Sequence, residues 1–230
     1  GLLSTLAAAI SISGGASVGQ YGPLVHFGGV IGDYFSKLTK DQTSPHILLA
    51  CGVAAAISSG FGAPFAGLVF AHEVIVRHFS LKAVAPILIS SVVAHTFSSE
   101  IYSNEPLLQI SIGGISNIYE IFPLALLGLL AGLIATLYMR GLTGKIPIPK
   151  SIPIYLLPII AGTICGVTGL FLPETLGLGT NFIRNIIESP MSIDYVFLLL
   201  LGKLFLTVIC IRLYLFGGIF SPALFLGVAL

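Results

Sequence analysis

Apolar runs separated by short breaks of glycine, proline and charge make up almost the whole chain. Residues 1–13 read as an apolar helix, and Gly14 to Gly22 as a glycine-rich break. A short helix from Pro23 to about Phe35 follows, then a polar loop at Lys37–Asp41. Residues 46–59 form a helix of small residues (Ala50, Gly52, Ala54, Ala55, Ala56), which permits close approach to neighbouring backbones. Phe61-Gly62-Ala63-Pro64 interrupts it, and a helix continues to about Val76. Arg77 to Lys82 is basic and leads into a helix from about Leu81 to Phe97. The longest polar stretch, 98–120, carries Glu100, Glu105 and Glu120. Residues 119–140, 152–172 and 193–213 read as spanning helices, the first two with Gly128-xxx-Gly132 and Gly162-xxx-Gly166. Between the last two lie a turn at Pro173–Gly179 and a short amphipathic piece ending at Ser189. Gly217 to Pro222 breaks the chain before the final apolar run.

A spanning helix needs about 20 apolar residues. Several of these runs are shorter, or are cut by glycine and proline. Broken backbone at membrane depth is tolerated only where protein buries it or a water-filled cavity faces it. Interrupted segments paired between two halves point to a transporter site built on inverted repeats. The pattern therefore predicts an all-α polytopic membrane protein with broken, tilted helices. Residue 1 lies in an apolar run and residue 230 stops in one, so 1–230 is expected to be part of one transmembrane domain, truncated at both ends. Lys37/Lys40, Arg77/Lys82 and Arg140/Lys145/Lys150 mark the cytoplasmic side, which puts 100–120 and the Pro173–Glu174 loop outside.

Composition agrees with the pattern. Hydrophobic residues are 56% of the chain and charged residues 8%, against about 25% charged in a soluble domain. The mean hydropathy is +1.04. That is too little charge to cover a water-facing surface, so the expected location is a lipid bilayer, as an integral multi-pass protein of a plasma or inner membrane. A net charge of +1 without a basic stripe argues against a nucleic-acid partner. Cys51, Cys165 and Cys210 lie in apolar runs without metal-ligand spacing and read as small buried hydrophobes. No metal and no cofactor is expected, and no nucleophile–base pair at useful spacing marks an enzyme.

Two breaks share one chemistry. In Gly19-Gln20-Tyr21-Gly22-Pro23, glycines lead into a proline and an apolar run. Proline suits a first helical turn, because its missing N–H would find no intrahelical acceptor there. The backbone N–H groups of Gln20, Tyr21 and Gly22 are then at a helix start, which favours an anion. Gly218-Ile219-Phe220-Ser221-Pro222 repeats the pattern near the other end, with Ile219, Phe220 and Ser221 at the turn. Backbone amides can replace water around a halide without the trapping a full positive charge would cause, which fits permeation better than tight capture.

Few side chains could add to this. Glu73, after His72 in an apolar helix, is a candidate intramembrane carboxylate; pairing with Arg77 at i+4 is the alternative. His26, Asp33 and Lys203 read as helix-end or interfacial residues. Arg212 could draw anions toward a vestibule, or snorkel to the interface.

These motifs resemble the CLC family of chloride channels and chloride/proton antiporters. The family's G-R/K-E-G-P is matched by Gly19–Pro23 and the apolar residues after it. Its F-N-A-P-L-A-G-x-x-F-x-x-E is matched by Phe61–Gly67 with Phe70 and Glu73, and its G-G-x-F-x-P by Gly217–Pro222. The resemblance implies a CLC-type inverted-repeat fold and chloride or a similar anion as the transported ion. It implies a homodimer with a pore in each subunit. It implies a central anion on the amides of Ile219 and Phe220, and a more external one near Gln20, Tyr21 and Gly22. The family's gating glutamate is Tyr21 here, and its inner proton-relay glutamate aligns with Val74, one residue past Glu73. A phenol ordinarily titrates near ~10 and is neutral at pH 7, so it cannot mimic the anion. Gln20 replaces a basic residue, and Leu213-Tyr214-Leu215-Phe216 replaces a slimmer S-G-x-P. The expectation is chloride permeation, passive and channel-like or weakly proton-coupled, with Tyr21 as gate. The alternatives are an antiporter using His72 or Glu73, and a non-conducting structural relative.

Overall fold

A computed structural model describes residues 2–39, 45–78, 80–102, 117–144, 152–188 and 191–230. The described residues are helical, with no strand among them. Among the described residues ten α-helices follow one another: α1 (Leu2–Ser13), α2 (Tyr21–Thr39), α3 (Pro45–Phe61), α4 (Pro64–Phe70), α5 (Leu81–Tyr102), α6 (Ile121–Thr143), α7 (Leu157–Gly169), α8 (Thr180–Glu188), α9 (Ile193–Arg212) and α10 (Phe220–Val228). The expected loop residues Lys40 and Asp41, together with Glu105, Lys145, Lys150 and Ser189, lie outside the described residues.

Among the described residues, three helical stretches are long and apolar enough to cross a membrane: Leu81–Ile101, Ile118–Thr143 and Ile193–Arg212. The span expected over 152–172 is shorter. A 3-10 turn at Ile154–Leu156 precedes α7, which starts at Leu157 with Pro158 in its first turn and ends at Gly169. Helix α5 runs to Tyr102, so the polar stretch begins later than its composition implied. Helix α2 starts at Tyr21, two residues before Pro23. Pro23 still falls in the first turn, where no intrahelical bond needs its N–H.

The chain divides into two compact units. The first comprises residues 1–6 and 21–109, the second 7–20 and 110–230. In the first unit α2 and α3 touch backbone to backbone. A Cβ at Gly28 would collide with the carbonyl of Gly52, one at Gly52 with the carbonyl of Gly28, and one at Gly32 with that of Leu48. Serines tie α3 to α5: Ser58 Oγ donates to Ser91 O at 2.6 Å and Ser90 Oγ to Cys51 O at 3.0 Å. Ser91 Oγ donates to Pro64 O at 2.7 Å, holding the start of α4. Apolar helices gain little from burial against each other in lipid, so close backbone contact and such bonds carry the packing. Gly52→Val is therefore expected to cost about 3 kcal/mol or more through overpacking. A lower thermal midpoint and less monodisperse protein in detergent would record it.

In the second unit, Ala16, Val18, Cys165, Leu206 and Cys210 form a buried cluster, and Tyr138, Leu200 and Leu226 another. A Cβ at Gly128, Gly132, Gly162 or Gly166 would meet no neighbour among the described residues.

Candidate anion site

The frame of the second motif is built in the second unit. Gly19 and Gly218 exchange both backbone hydrogen bonds as an isolated antiparallel bridge, each N···O 2.6 Å. The motif glycines from opposite ends of the chain are thus paired directly. No side chain fits between them: a Cβ on Gly19 would lie 3.0 Å from Ser221 N and Oγ and 3.1 Å from Gly218 O. A Cβ on Gly217 would collide with the side chain of Val18. Beside the bridge, Ser17 and Thr207 are fully buried, their hydroxyls 3.3 Å apart.

Helix α10 leaves this bridge. Ile219 is its N-cap and Phe220 its first residue, and its first intrahelical bond runs from Ala223 N to Ile219 O. The amides of Phe220 and Ser221 are in the first turn, where a helix offers no acceptor of its own, and Pro222 has no N–H to offer. Tyr138 of α6 donates to Ile219 O at 3.2 Å, fixing the cap from the side. Ile219 and Phe220 are exposed, whereas Ser221 and Pro222 are buried. Ser221 Oγ is buried without a hydrogen-bond partner. Partial positive charge at the helix start and an unsatisfied hydroxyl beside it suit a small anion.

The first motif divides at Gln20–Tyr21. Gln20 is exposed in the second unit; Gly22 and Tyr21 belong to the first, Gly22 exposed and Tyr21 only 5% exposed. The Tyr21 ring stacks on Phe61, centroids 3.9 Å apart at 19°, and its hydroxyl donates to Gly60 O at 3.4 Å. Gly60 makes room, since a Cβ there would lie 3.1 Å from the Tyr21 ring. The turn that presents Phe61 relies on Gly62 at φ +64. Asparagine is among the few other residues that enter that region readily, so glycine is an apt substitute for the family's asparagine.

Glu73 is exposed, on a π-helical turn at Ala71–Val76. Arg77 closes that turn in the left-handed conformation, φ 60, with its N–H on His72 O. The wider turn spoils the i+4 alignment, and neither Glu73 nor Arg77 forms an ion pair among the described residues. Arg77 Nε instead donates weakly to Val74 O at 3.4 Å. Glu73, His72, Arg77 and His78 line a cavity of about 520 Å³ in the first unit. Asp33 pairs with Lys37 at 2.6 Å, and His26 Nδ1 lies 3.2 Å from Ser4 Oγ; Asp33 and His26 both lie within α2 rather than at its ends.

Lys203 corrects its sequence reading. It is not interfacial but mid-way along α9 and completely buried. Its Nζ donates to Gly177 O at 2.7 Å and Thr175 O at 3.0 Å, and lies 5.2 Å from the centroid of the Phe225 ring in α10. Phe225 in turn stacks on Phe182 of α8, centroids 4.2 Å apart. Lys203 thus ties the turn before α8 to the helix that begins at the second glycine–proline motif. Arg212 is half-buried, and its Nε and Nη2 are buried without a hydrogen-bond partner. Helix α9 then ends in a Schellman turn, Leu215 N to Cys210 O and Tyr214 N to Ile211 O. Tyr214 takes the left-handed position at φ 62, where glycine is usual.

A family profile described as voltage gated chloride channel matches residues 1–230. The chain belongs to this family. It is 26% identical over 240 residues to a putative chloride channel protein ClcB-like of Ralstonia nicotianae, covering all of this chain and 55% of that protein. It is 27% identical over 236 residues to the voltage-gated ClC-type chloride channel ClcB of Escherichia coli, covering all of this chain and 56% of the relative. The crystal structure of a slow cyanobacterial Cl−/H+ antiporter superposes with a TM-score of 0.83 at 25% identity, over 94% of this chain and 52% of that one. The chain spans about half the length of these relatives, and its all-helical fold is that of the CLC family.

Proposed function

We propose that the chain forms part of a pathway for chloride or a similar anion across a lipid bilayer, passive or weakly coupled to protons. The observation that carries this reading is the start of α10. Two paired glycines, a capped Ile219 and the buried, partnerless hydroxyl of Ser221 hold a helix N-terminus open for a small anion. The amides of Ile219 and Phe220, with Ser221, take the central anion, and Gln20, Tyr21 and Gly22 a more external one. The other half of the family's length and a second copy complete the transporter.

Weak coupling follows from Tyr21. It stands where the family places a carboxylate, and its ring is held by Phe61 and Gly60. Such a phenol neither competes with chloride as an anion nor carries protons. A second reading, chloride/proton exchange through other groups, draws on the cavity lined by His72, Glu73 and His78.

Halide efflux from vesicles holding the full-length protein tests the reading. Efflux above that of empty vesicles is expected, without stoichiometric uphill proton movement under a chloride gradient. Coupled pumping would support the second reading, and loss of that pumping in a His72→Ala/Glu73→Gln variant would place it. Absence of efflux would favour a non-conducting relative. Tyr21→Ala is expected to raise efflux several-fold by removing the plug. Unchanged efflux in a folded variant would take Tyr21 out of the path and leave the α10 site standing.

A further inference from the structure

Cys165 and Cys210 come from different helices of the second unit, α7 and α9, and their sulfurs lie 3.2 Å apart. Both are free thiols, and both are buried, 2% and 0% exposed. A disulfide bond is about 2.05 Å long, so closing the pair asks for a sulfur displacement of about an ångström. Burial shuts out bulky thiol reagents and enzymes. It does not shut out a neutral oxidant hardly larger than water. We infer that Cys165 and Cys210 form an intramolecular disulfide when hydrogen peroxide reaches them, a covalent latch between α7 and α9.

The chemistry balances with peroxide as the oxidant. One thiol takes an oxygen from peroxide, becomes a sulfenic acid and releases water. The second thiol attacks that sulfur, the S–S bond forms, and the hydroxyl leaves as a second water. The two sulfurs together lose two electrons and peroxide gains them. Proximity makes the second step fast. The partner thiol is already in contact, so the sulfenic acid is captured before further oxidation.

The latch packs against the segment that leads into the candidate site. The two cysteines share their buried cluster with Ala16 and Val18, the residues that lead into Gly19. Helix α9 also carries Thr207, whose hydroxyl meets Ser17. Oxidation would therefore stiffen the residues that lead into the Gly19–Gly218 bridge. Cys51 serves as an internal control, being buried in the first unit.

The experiment is thiol counting on the full-length protein in vesicles. Protein is treated with hydrogen peroxide, denatured, alkylated and mapped by mass spectrometry with and without reductant. Peptides holding Cys165 and Cys210 are expected to appear cross-linked, lighter by two hydrogens, with Cys51 fully alkylated. Cys165→Ser and Cys210→Ser should each abolish the cross-link. In the oxidised wild type, amide exchange over Ala16–Val18 should slow severalfold, and reductant should reverse it. Cys165 and Cys210 remaining alkylatable after peroxide would overturn the inference, as would their recovery only as sulfinic or sulfonic acids. The assay reads thiols, so its outcome is independent of whether the protein passes anions.

Discussion

Lys203→Met is expected to destabilise the protein by about 3 kcal/mol or more, read as a marked fall in its thermal midpoint in detergent. Methionine keeps the length and apolar stem of lysine but donates no hydrogen bond. The carbonyls of Thr175 and Gly177, which Lys203 Nζ meets at 3.0 and 2.7 Å, would be left buried without their donor. Each buried polar group so orphaned costs about 1–3 kcal/mol. The lost contact with the Phe225 ring adds to this and loosens α10. Lys37→Met is the matched control. Lys37 forms an ion pair with Asp33 at 2.6 Å, shorter than either bond of Lys203, yet Lys37 is largely open to solvent and Asp33 partly so. Exposed pairs of this kind contribute about 0.2–1 kcal/mol, so that midpoint should barely move. Equal effects from the two substitutions would show that Lys203 is not the anchor its geometry describes. Halide efflux should follow the same order. Lys203 bears on the helix that begins at Phe220, and Lys37 does not.

That contrast also shows where sequence reasoning reaches and where it stops. In sequence Lys37 reads as part of a polar loop with Lys40 and Asp41, and Lys203, deep in an apolar run, as a helix-end or interfacial residue. For Lys37 the partner is four residues away on the same helix, so local spacing is enough. For Lys203 the partners are backbone carbonyls in a distant turn, and no residue type announces them. The breaks at Gly14–Gly22, Phe61–Pro64 and Gly217–Pro222 were legible because glycine and proline act on their own backbone. The π-turn at Ala71–Val76 was not, since nothing in Ala-His-Glu-Val-Ile-Val departs from an ordinary helix. The Glu73–Arg77 pairing failed for the same reason, because it assumed α-helical spacing. The bulk of Tyr214 was visible in the sequence, but its left-handed backbone depends on the Schellman turn around it. Tyr138 and Thr207, which brace Ile219 and Ser17, carry no local signature and become legible only once α6 and α9 are placed.

The pairing of Gly19 with Gly218 is the contact that sequence alone could least supply, and its disruption should have the largest effect on transport. Gly19→Val is expected to reduce halide efflux to the level of empty vesicles. The smallest added group, a Cβ, would already lie 3.0 Å from Ser221 N and Oγ and 3.1 Å from Gly218 O. Two of these three neighbours are backbone atoms, which cannot rotate away as a long side chain can. Relief requires the two segments to separate, which breaks both 2.6 Å bridge bonds and shifts the first turn of α10. Gly19→Ala should show a graded version, costing about 1–3 kcal/mol by overpacking and cutting efflux several-fold. Gly227→Ala is the control within α10. Gly227 has open space where its Cβ would go, and alanine is favoured over glycine in a helix by about 1 kcal/mol. That variant should be as stable as the wild type or slightly more so, with unchanged efflux. A Gly19→Val protein that elutes as a monodisperse species yet conducts like the wild type would mean the α10 start tolerates displacement. The anion would then have to be held elsewhere. Loss of efflux in Gly19→Val with retention in Gly227→Ala would instead tie transport to this one approach of two backbones.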